Sequence, residues 1–584
     1  MNRKLVDVCL GRVKADLVLK CKSLLNVFSG EILDDVAVAI EDDRIAYVGK
    51  KADRMVGFGT EVLRIRDGVV VPGFIDAHTH IDMLCTPTEQ AEMALIHGTT
   101  TLFAEPDELT SVMGFKGLRL FINEVKRLPL KVYVIVPLTS PQDPKLSSVK
   151  AMPLNAYENA LAWDNVVGLG ETVAWTLVLN HDKYYLEKFK LALRKGKMIE
   201  GHTAGARDAK LAACVCSGIS SCHEPIDVEQ ALERLRLGIF LMIREGSLRR
   251  DMPSILPGLI NLGVDLSNAA FVTDWVDPVD LTELGYMDHV IKRAVDCGLD
   301  PVKAIQMVTI NSARHFRVND LVGAIAPGRY ADIVVLRSLR NAEVLLTISN
   351  GVVVARNGKF KGELTRPQYP KSAFKTMRVA WELKPENFKI NAPISEGKAK
   401  VLVAKLENEI VTRKDVDEVN IINGKVELGV DSNLAKIAVI DRRDESGRIE
   451  FGLIKGFGAR IGAIASSVNF DENQLVVIGY DDLDMAMAAN ETVRLGGGIV
   501  LFDKGKILEA LPLPIAGVMS YESLETVAAK LKKVNAILSE AGSTFSKPLN
   551  VLFFTTFVTL PEIRFTDKGI VDVKNRCYTT LFVR

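Results

Sequence analysis

The sequence predicts an α/β protein in which a (β/α)8 barrel is inserted in a small β-sandwich and followed by a C-terminal α+β domain. Three observations support this fold class. Apolar, strand-like runs alternate with helix-like segments through the middle of the chain, which is typical of a parallel sheet surrounded by helices. Short strands separated by turns lie on both sides of that region. The chain has 584 residues, too many for one core, so a further domain is expected.

The β-sandwich is predicted in two halves. The first half, residues 1–69, reads as short strands separated by turn dipeptides such as Ser29-Gly30. The second half, residues 319–372, returns to the same texture in "GAIAPGRYADIVVL" and "EVLLTISNGVVVARNGKF", with a hairpin turn at Asn350-Gly351. We expect the two halves to form one unit, with the barrel inserted between them.

The barrel is predicted over residues 70–318. Thr86, Pro87 and Glu89 supply an N-cap and first turn for the helix after the first barrel strand. In a TIM-like barrel the carboxyl ends of all strands meet at one mouth, where the chemistry is done. Eight apolar runs are the predicted strands: "GVVVPGFIDAH", "TTTLFAE", "LKVYVIVPL", "NVVGLGE", "KMIEGH", "GISSCHE", "IFLMIRE" and "AAFVTD".

The C-terminal domain is predicted over residues 379–584. A Pro- and Lys-rich stretch, "TRPQYPKSAFKTM", has the composition of a linker and separates this domain from the sandwich. Beyond it, strand-like and helix-like runs are mixed without the regular alternation of the barrel. We therefore expect an α+β domain there.

The composition argues against several classes of function. Lys+Arg and Asp+Glu both total 73, so no basic excess indicates a nucleic-acid partner. The eight cysteines are too sparse for a disulfide scaffold. The N-terminal segment lacks the apolar region of a signal peptide, and the longest apolar runs are too short to cross a bilayer. We expect a cytoplasmic protein with no membrane partner.

Metal-competent residues end several of the predicted barrel strands. The chain has only eight histidines, and four of them fall at these strand ends. His78 and His80 stand two apart, so they share one face of a strand. Imidazoles and carboxylates together suit borderline metals such as zinc, manganese or iron. The remaining histidines are interpreted as structural. The candidate metal ligands are His78, His80, Glu171, His202, His223 and Asp274.

The segments around these residues resemble a known group of enzymes. "PGFIDAHTHI" before the barrel and "GAIAPGRYADIVVL" after it are similar to the amidohydrolase superfamily. Within that superfamily the adenine deaminase family is a closer match, through "TPTEQAEMALIHGTTT", "VVGLGE", "GHTAG" and "ALERLRLGIFLMIREGS". "GLIKGFGARIGAIASSV", "RLGGGIVL" and "LPLPIAGVMS" extend the resemblance into the C-terminal domain, which most amidohydrolases lack.

The resemblance implies a binuclear divalent metal site that holds Mn2+, Fe2+ or Zn2+. His78, His80 and Asp274 would hold one ion, while His202 and His223 hold the other. Glu171 stands where the family has a bridging carboxylate. The implied reaction is the hydrolysis of adenine to hypoxanthine and ammonia, with Asp274 as the catalytic proton carrier. The implied partner is a free purine base, and we expect a homo-oligomer.

The stretch "MIREGS" supplies further candidates at the barrel mouth. Glu245 is the second predicted catalytic residue, because a carboxyl group there can bind or protonate a purine ring nitrogen, and Arg244 and Ser247 are predicted to bind substrate. The alternative is that Arg244 and Glu245 form an ion pair that braces a loop. Asp76 is expected to brace the first turn of the site, and Glu224 to support the ligands or to be solvated.

Several positions depart from the family pattern and leave alternatives open. The residues that depart from the pattern surround the candidate ligands, and the candidate ligands themselves all follow it. They fit a deaminase with altered substrate contacts, a related amidohydrolase that acts on another cyclic amidine or amide, or a homologue that binds purine or metal without turnover. The departing residues are Asp82, Asp107, Trp275, Val276, Asp277, Phe470 and Asn473.

Overall fold

The computed structural model describes residues 3–428 and 432–583. The chain begins with a short helix and five strands. The first turn, at Ser29-Gly30, is made with Gly30 at a positive φ of 76°, a conformation that glycine adopts without strain. These elements are α1 (Arg3–Cys9), β1 (Leu17–Asn26), β2 (Glu31–Glu41), β3 (Arg44–Gly49), β4 (Glu61–Ile65) and β5 (Val69–Pro72).

Eight strands between residues 74 and 272, a range described throughout, form the barrel. They pair in parallel in two arcs, one of the first five strands and one of the last three. A parallel bridge between Thr79 and Asp274 joins the last strand to the first. On the other side, the Ser220 backbone N–H donates to the Ile199 carbonyl at 2.9 Å. The strands are β6 (Phe74–Thr79), β7 (Thr99–Ala104), β8 (Lys131–Val136), β9 (Val166–Thr172), β10 (Met198–Gly201), β11 (Ser221–Cys222), β12 (Phe240–Arg244) and β13 (Ala269–Val272).

Helices cover the outside of the barrel. The first follows the predicted capping pattern: the Thr86 side chain accepts from the Glu89 backbone N–H, and Pro87 occupies the first turn. The helices are α2 (Pro87–Ile96), α3 (Asp107–Met113), α4 (Phe115–Val125), α5 (Leu154–Ala160), α6 (Trp175–Leu179), α7 (Lys183–Arg194), α8 (Asp208–Cys216), α9 (Val228–Arg236), α10 (Met252–Asn261), α11 (Pro278–Glu283), α12 (Met287–Asp296), α13 (Pro301–Met307) and α14 (Ile310–His315).

The chain then returns to the sheet that it left at Pro72. Antiparallel pairing of Ile333 with Pro72 and of Leu336 with Val69 joins the two halves into one nine-stranded sheet within the described residues. Val38 and Ile348, from opposite halves, lie in one apolar core. The predicted β unit with an inserted barrel is therefore confirmed. The returning strands are β14 (Ile333–Leu336), β15 (Val344–Ser349), β16 (Val352–Arg356) and β17 (Lys359–Phe360).

The C-terminal domain is α+β, as predicted. A nine-stranded and a three-stranded sheet are formed within the described residues. Its strands are β18 (Gly397–Leu406), β19 (Thr412–Ile422), β20 (Lys425–Glu427), β21 (Leu434–Ile440), β22 (Ile449–Lys455), β23 (Ala463–Ser466), β24 (Leu475–Gly479), β25 (Gly498–Asp503), β26 (Lys506–Pro512), β27 (Ile563–Thr566), β28 (Gly569–Asp572) and β29 (Cys577–Thr579). Its helices are α15 (Asp482–Arg494), α16 (Leu524–Glu540) and α17 (Asn550–Phe554).

The C-terminal domain packs against the mouth of the barrel. The Leu84 backbone, just beyond β6, donates to the Val518 carbonyl at 2.8 Å and accepts from the Ser520 N–H at 2.9 Å. Asn473, in the loop that precedes β24, contacts the Glu108 carboxylate of α3. The two contacts place C-terminal loops beside the carboxyl ends of the barrel strands.

Over residues 3–428 and 432–583, none of the helices combines the length and the apolar character needed to span a bilayer.

Candidate metal centre

The six predicted ligands converge at the mouth of the barrel because each lies at or just beyond the carboxyl end of a strand. Five of them are buried, and the His202 side chain is partly exposed. Their positions are His78 in β6, His80 after β6, Glu171 in β9, His202 after β10, His223 after β11 and Asp274 after β13.

The first group of ligands is formed by His78, His80 and Asp274. The Asp274 Oδ1 lies 3.2 Å from His78 Nε2 and 3.6 Å from His80 Nε2. The backbone fixes this approach: Asp274 has a positive φ of 64°, and its N–H donates to the His78 carbonyl at 3.0 Å. Burial opposes ionisation, but the neighbouring imidazoles hold the pKa of Asp274 well below its usual range. Asp274 is therefore a carboxylate at neutral pH.

The second group is formed by Glu171, His202 and His223. The Glu171 Oε2 lies 2.7 Å from His202 Nδ1 and 3.0 Å from His223 Nε2. The two ring nitrogens are themselves 3.2 Å apart. Burial opposes the charged form, yet the two imidazoles keep the pKa of Glu171 well below its usual range. One carboxylate oxygen thus faces two imidazole nitrogens.

The two groups share a boundary at which a metal would fit. The His78 and His223 rings stack with centroids 4.3 Å apart, and ligand atoms of His78, Glu171 and His223 can meet around one point. The buried His78 Nε2 has no hydrogen-bond partner among the residues that the structure describes. An unsatisfied buried nitrogen beside carboxylates is the arrangement that a cation completes. The mixed nitrogen and oxygen donors suit zinc, manganese or iron.

Arg244 braces the open side of the ligand cluster. Its guanidinium contacts the Glu224 carboxylate, lies 3.4 Å from Asp274 Oδ2 and pairs with Asp251 Oδ2 at 3.0 Å. Glu224 lies 3.5 Å from His202 Nε2. It therefore supports the ligands, which was one of the two predicted roles for this residue. The sequence indicated Glu224 only by its place after His223, and gave no sign of Asp251.

Glu245 and Ser247 do not reach the metal cluster. Successive side chains of a strand point to opposite faces, so with Arg244 directed into the barrel mouth, Glu245 points away from it. The Glu245 carboxylate pairs with Arg293 Nε at 3.3 Å, and the alternative Arg244–Glu245 ion pair is not formed. The Ser247 hydroxyl donates to Asp280 Oδ2 at 2.6 Å. Both residues line a separate pocket between the barrel and its outer helices.

Two carboxylate residues just beyond the neighbouring strand β7, Glu105 and Asp107, contact the candidate ligands. His80 Nδ1 lies 3.0 Å from Asp107 Oδ2 and 3.0 Å from the Glu105 carbonyl. The Glu105 carboxylate accepts the Glu171 backbone N–H at 2.6 and 2.8 Å. Metal-binding histidines commonly use their second ring nitrogen in this way. Asp107, a departure from the family pattern, thus fixes the orientation of His80.

Asp76 ties the first barrel strand to the last, which confirms the predicted bracing role. Its carboxylate accepts from the Thr273 hydroxyl at 2.6 Å, from the Thr273 N–H at 3.2 Å and from the Tyr286 hydroxyl at 2.8 Å. Because Thr273 precedes Asp274, these bonds hold His78 and Asp274 at the same level of the barrel.

Four of the candidate ligands line a cleft with about 610 Å³ of empty space, including its open mouth. Its inner wall is made by barrel residues that include His80, Glu171, His202 and Asp274. The opposite wall belongs to the C-terminal domain, a contribution that sequence reasoning missed. Its residues are Ile410, Phe470, Asp471, Phe554, Phe557 and Leu560.

The other departing residues lie around this cleft. The Asp82 carboxylate accepts the Leu109 N–H of α3 at 2.8 Å. Trp275 is buried beside Phe470, with ring centroids 6.0 Å apart. Val276 is partly buried. Two more departures hold elements together: Asp277 caps α11, and Asn473 donates to the Ser111 hydroxyl at 2.7 Å.

Comparison with known proteins agrees with this geometry. Residues 69–354 match the amidohydrolase family, and residues 409–577 match the adenine deaminase C-terminal domain. An adenine deaminase from Cenarchaeum symbiosum is 37% identical over 575 residues, which is 98% of this chain and 94% of that protein. One from Moorella thermoacetica is 38% identical over 576 residues, 98% of this chain and 96% of that protein.

The matches extend through the barrel and the C-terminal domain, and the cleft lies between these two parts of the chain. The amidohydrolase match makes the chain a divalent-metal-dependent hydrolase that acts on C–N bonds. The chain belongs to the adenine deaminase family of the amidohydrolases.

Proposed function

We propose that this protein hydrolyses adenine to hypoxanthine and ammonia at a binuclear divalent metal centre. The observation that carries the proposal is the convergence of six candidate ligands at the barrel mouth, four of them lining one cleft, in a chain similar over nearly its whole length to curated adenine deaminases. The first ion would be held by His78, His80 and Asp274. The second would be held by His202 and His223, and Glu171, which contacts both of these imidazoles, would contribute a carboxylate ligand.

Divalent ions supply a nucleophile, because a bound water has its pKa lowered to about 7. The amino group leaves from C6 of the purine, where attack by a water oxygen gives a tetrahedral carbon. Asp274 takes a proton from the attacking water and delivers it to the departing nitrogen. Its low pKa keeps it ionised, and its contacts with His78 and His80 place it at the inner wall.

Arg244 and Glu224 hold this arrangement in place. The guanidinium contacts Oδ2 of Asp274 whereas the imidazoles contact Oδ1, so both oxygens of the carboxylate are held. The Glu224 carboxylate, paired to the same guanidinium, faces His202. The apolar outer wall reduces access of bulk water to the cleft.

The residues around the site that depart from the family pattern favour one alternative enzyme, a related hydrolase. Asp107 at His80 and Phe470 on the outer wall change groups that surround the cleft, while the six ligands are kept. This pattern also suits a related hydrolase for another cyclic amidine or amide. A homologue that binds purine without turnover is the non-enzymatic alternative.

The test combines metal analysis with a substrate panel. The purified protein is analysed by inductively coupled plasma mass spectrometry and assayed for ammonia against purines, pyrimidines and cyclic amides. We expect about two equivalents of metal per chain and equal amounts of ammonia and hypoxanthine from adenine. Chelated protein is the control. Turnover of a cyclic amide without turnover of adenine would select the alternative hydrolase, and metal and purine binding without product would select the non-enzyme.

Two further predictions concern the location of the protein in the cell and its oligomeric state. The cytoplasmic location stays a prediction, to be checked by cell fractionation. The homo-oligomer also stays a prediction, to be checked by light scattering of the purified protein.

A further inference from the structure

The cleft has two chemically different walls. The inner wall carries the ionisable groups of the metal centre. The outer wall, from the C-terminal domain, is built mainly from aromatic and aliphatic side chains. An aromatic wall that faces a polar reaction centre suits a flat ring whose reacting edge points to the metal.

The aromatic side chains of the outer wall support one another. The Phe470 ring lies 4.8 Å from that of Phe554 and 6.1 Å, nearly perpendicular, from that of Phe553. Trp275 of the barrel contacts Phe470 edge-on. Phe470 is 6% exposed, so its position is fixed by packing while it still lines the cleft. The ring is therefore held ready to receive a ligand.

Asp471 is the ionisable residue on this apolar wall. It is 4% exposed and lines the cleft directly after Phe470. The Gln142 side chain contacts its Oδ2, whereas its Oδ1 makes no hydrogen bond to any residue that the structure describes. Because Asp471 lines the cleft, a ligand that donates a hydrogen bond to this oxygen would gain an interaction that no described residue supplies.

Resting on the proposed deamination of adenine, we propose that Phe470 and Asp471 form a recognition site for free purine bases. The face of the base packs on Phe470, and Asp471 accepts the N–H of its five-membered ring. In adenine, this N–H lies at the end of the molecule opposite C6. With C6 at the metal wall, the N–H points to the opposite wall, where Asp471 lies.

This arrangement selects bases over nucleosides. A nucleoside carries a sugar in place of the N–H, so it offers Asp471 no donor and brings bulk against Phe470 and Phe554. A site built to accept a hydrogen bond discriminates strongly against an analogue that lacks the donor. The C-terminal domain would therefore set substrate class, while the barrel carries out the reaction.

The first part of the test addresses Phe470 in the metal-loaded, full-length protein. Phe470→Leu removes the ring and keeps an apolar side chain. We expect the KM for adenine to rise about tenfold, the effect of losing one stacked ring, with kcat and metal content little changed. Phe457→Leu is the matched control, because Phe457 is a buried phenylalanine of the same domain outside the cleft. Equal KM values in the two variants would overturn the stacking role.

The second part addresses Asp471, whose φ of 63° limits the useful substitutions. Asp471→Gly removes the carboxylate and tolerates this backbone, and Asp471→Asn tolerates it and keeps an oxygen acceptor. We expect Asp471→Gly to raise the KM for adenine about tenfold and Asp471→Asn to restore part of the loss. The control is Glu472→Gln, at a neighbouring buried carboxylate outside the cleft.

The discriminating measurement is the ratio of kcat/KM for adenine to that for 9-methyladenine. The methyl compound lacks the N–H, so the ratio should be large for the wild-type protein and fall in Asp471→Gly. An unchanged ratio in a protein that deaminates adenine overturns this inference alone. If the wild-type protein neither binds adenine by calorimetry nor deaminates it, the inference and the proposed function both fail.

Discussion

The inner and outer walls of the cleft satisfy their charged groups in different ways. On the inner wall, each carboxylate is paired with cations or imidazoles: Asp274 with His78 and Arg244, and Glu171 with His202. Where the C-terminal domain meets the barrel, two buried carboxylates are met by amides: Glu108 by Asn473 and Asp471 by Gln142. Charge pairing keeps the inner carboxylates ionised. Amide pairing leaves Glu108 and Asp471 without a neutralising partner.

Asp274→Asn, on the inner wall, is expected to have the largest effect on activity. The substitution keeps an oxygen near His78 and His80 but removes the proton acceptor, so most metal should stay bound. We expect kcat to fall by about 10²- to 10⁴-fold, the usual contribution of a general acid or base. Metal content and kcat are measured on the same preparation. A near-normal rate would remove Asp274 from the mechanism, and Asp296→Asn, on the surface, is the control.

Arg244→Met is expected to be the next most damaging change. It leaves the Glu224, Asp251 and Asp274 carboxylates without their shared cation, and breaking a buried ion pair in this way costs about 3–5 kcal/mol. We expect a lower temperature of inactivation together with a reduced kcat. The control is Arg293→Met, because this cation pairs with Glu245 and its side chain is much more exposed. Equal losses in both variants would contradict a special role for Arg244.

The fold could be predicted because its signals are local. The runs that end at His78 and Asp274 became the first and last strands of the barrel, and Thr86 caps the helix after the first strand. Pairing of β5 with β14 followed from similar β texture on both sides of the barrel. These patterns depend on nearby residues or on the simple rule that strands alternate with helices.

The site was predicted in part, for a physical reason. Strand ends are fixed by the fold, so the ligands could be found from their places along the chain. The face that a side chain takes can be derived only once a neighbour is placed: Arg244 points into the cleft, so Glu245 points away from it, towards Arg293. The outer wall with Phe470 depends on docking of the C-terminal domain on a barrel from which it is separated in sequence by the second half of the sandwich, and no local pattern reports such a contact.

Asp107→Asn tests a carboxylate that supports a candidate metal ligand, His80. Asp107 orients His80 through Nδ1. Burial lowers the pKa of His80, but Asp107 and Asp274 outweigh burial and raise this pKa well above its usual value. Loss of such a supporting carboxylate lowers metal affinity about 10- to 100-fold. Competition with a chelator measures the change. The control Asp82→Asn alters a neighbouring buried carboxylate that bonds the Leu109 backbone, and we expect a smaller change in affinity there. An equal change would assign the effect to net charge alone.

Glu108→Gln tests the amide-paired region and is expected to have the smallest effect. Burial and the nearby Asp82 raise the pKa of Glu108 to about 8, although the Asn473 hydrogen bond opposes the shift. The folded protein then binds a proton that the unfolded chain releases above its ordinary pKa of 4.5. The contribution of Glu108 to the stability of the folded protein is therefore fully present below that pKa. It is lost as the pH rises towards 8, by at most about 1.4 kcal/mol per pH unit. Glutamine has no such proton and can still accept from Asn473, so the variant should lose stability less steeply over this range. Thermal unfolding of both proteins from pH 5 to 8 measures the two slopes, and identical slopes would show that Glu108 is already ionised between the domains.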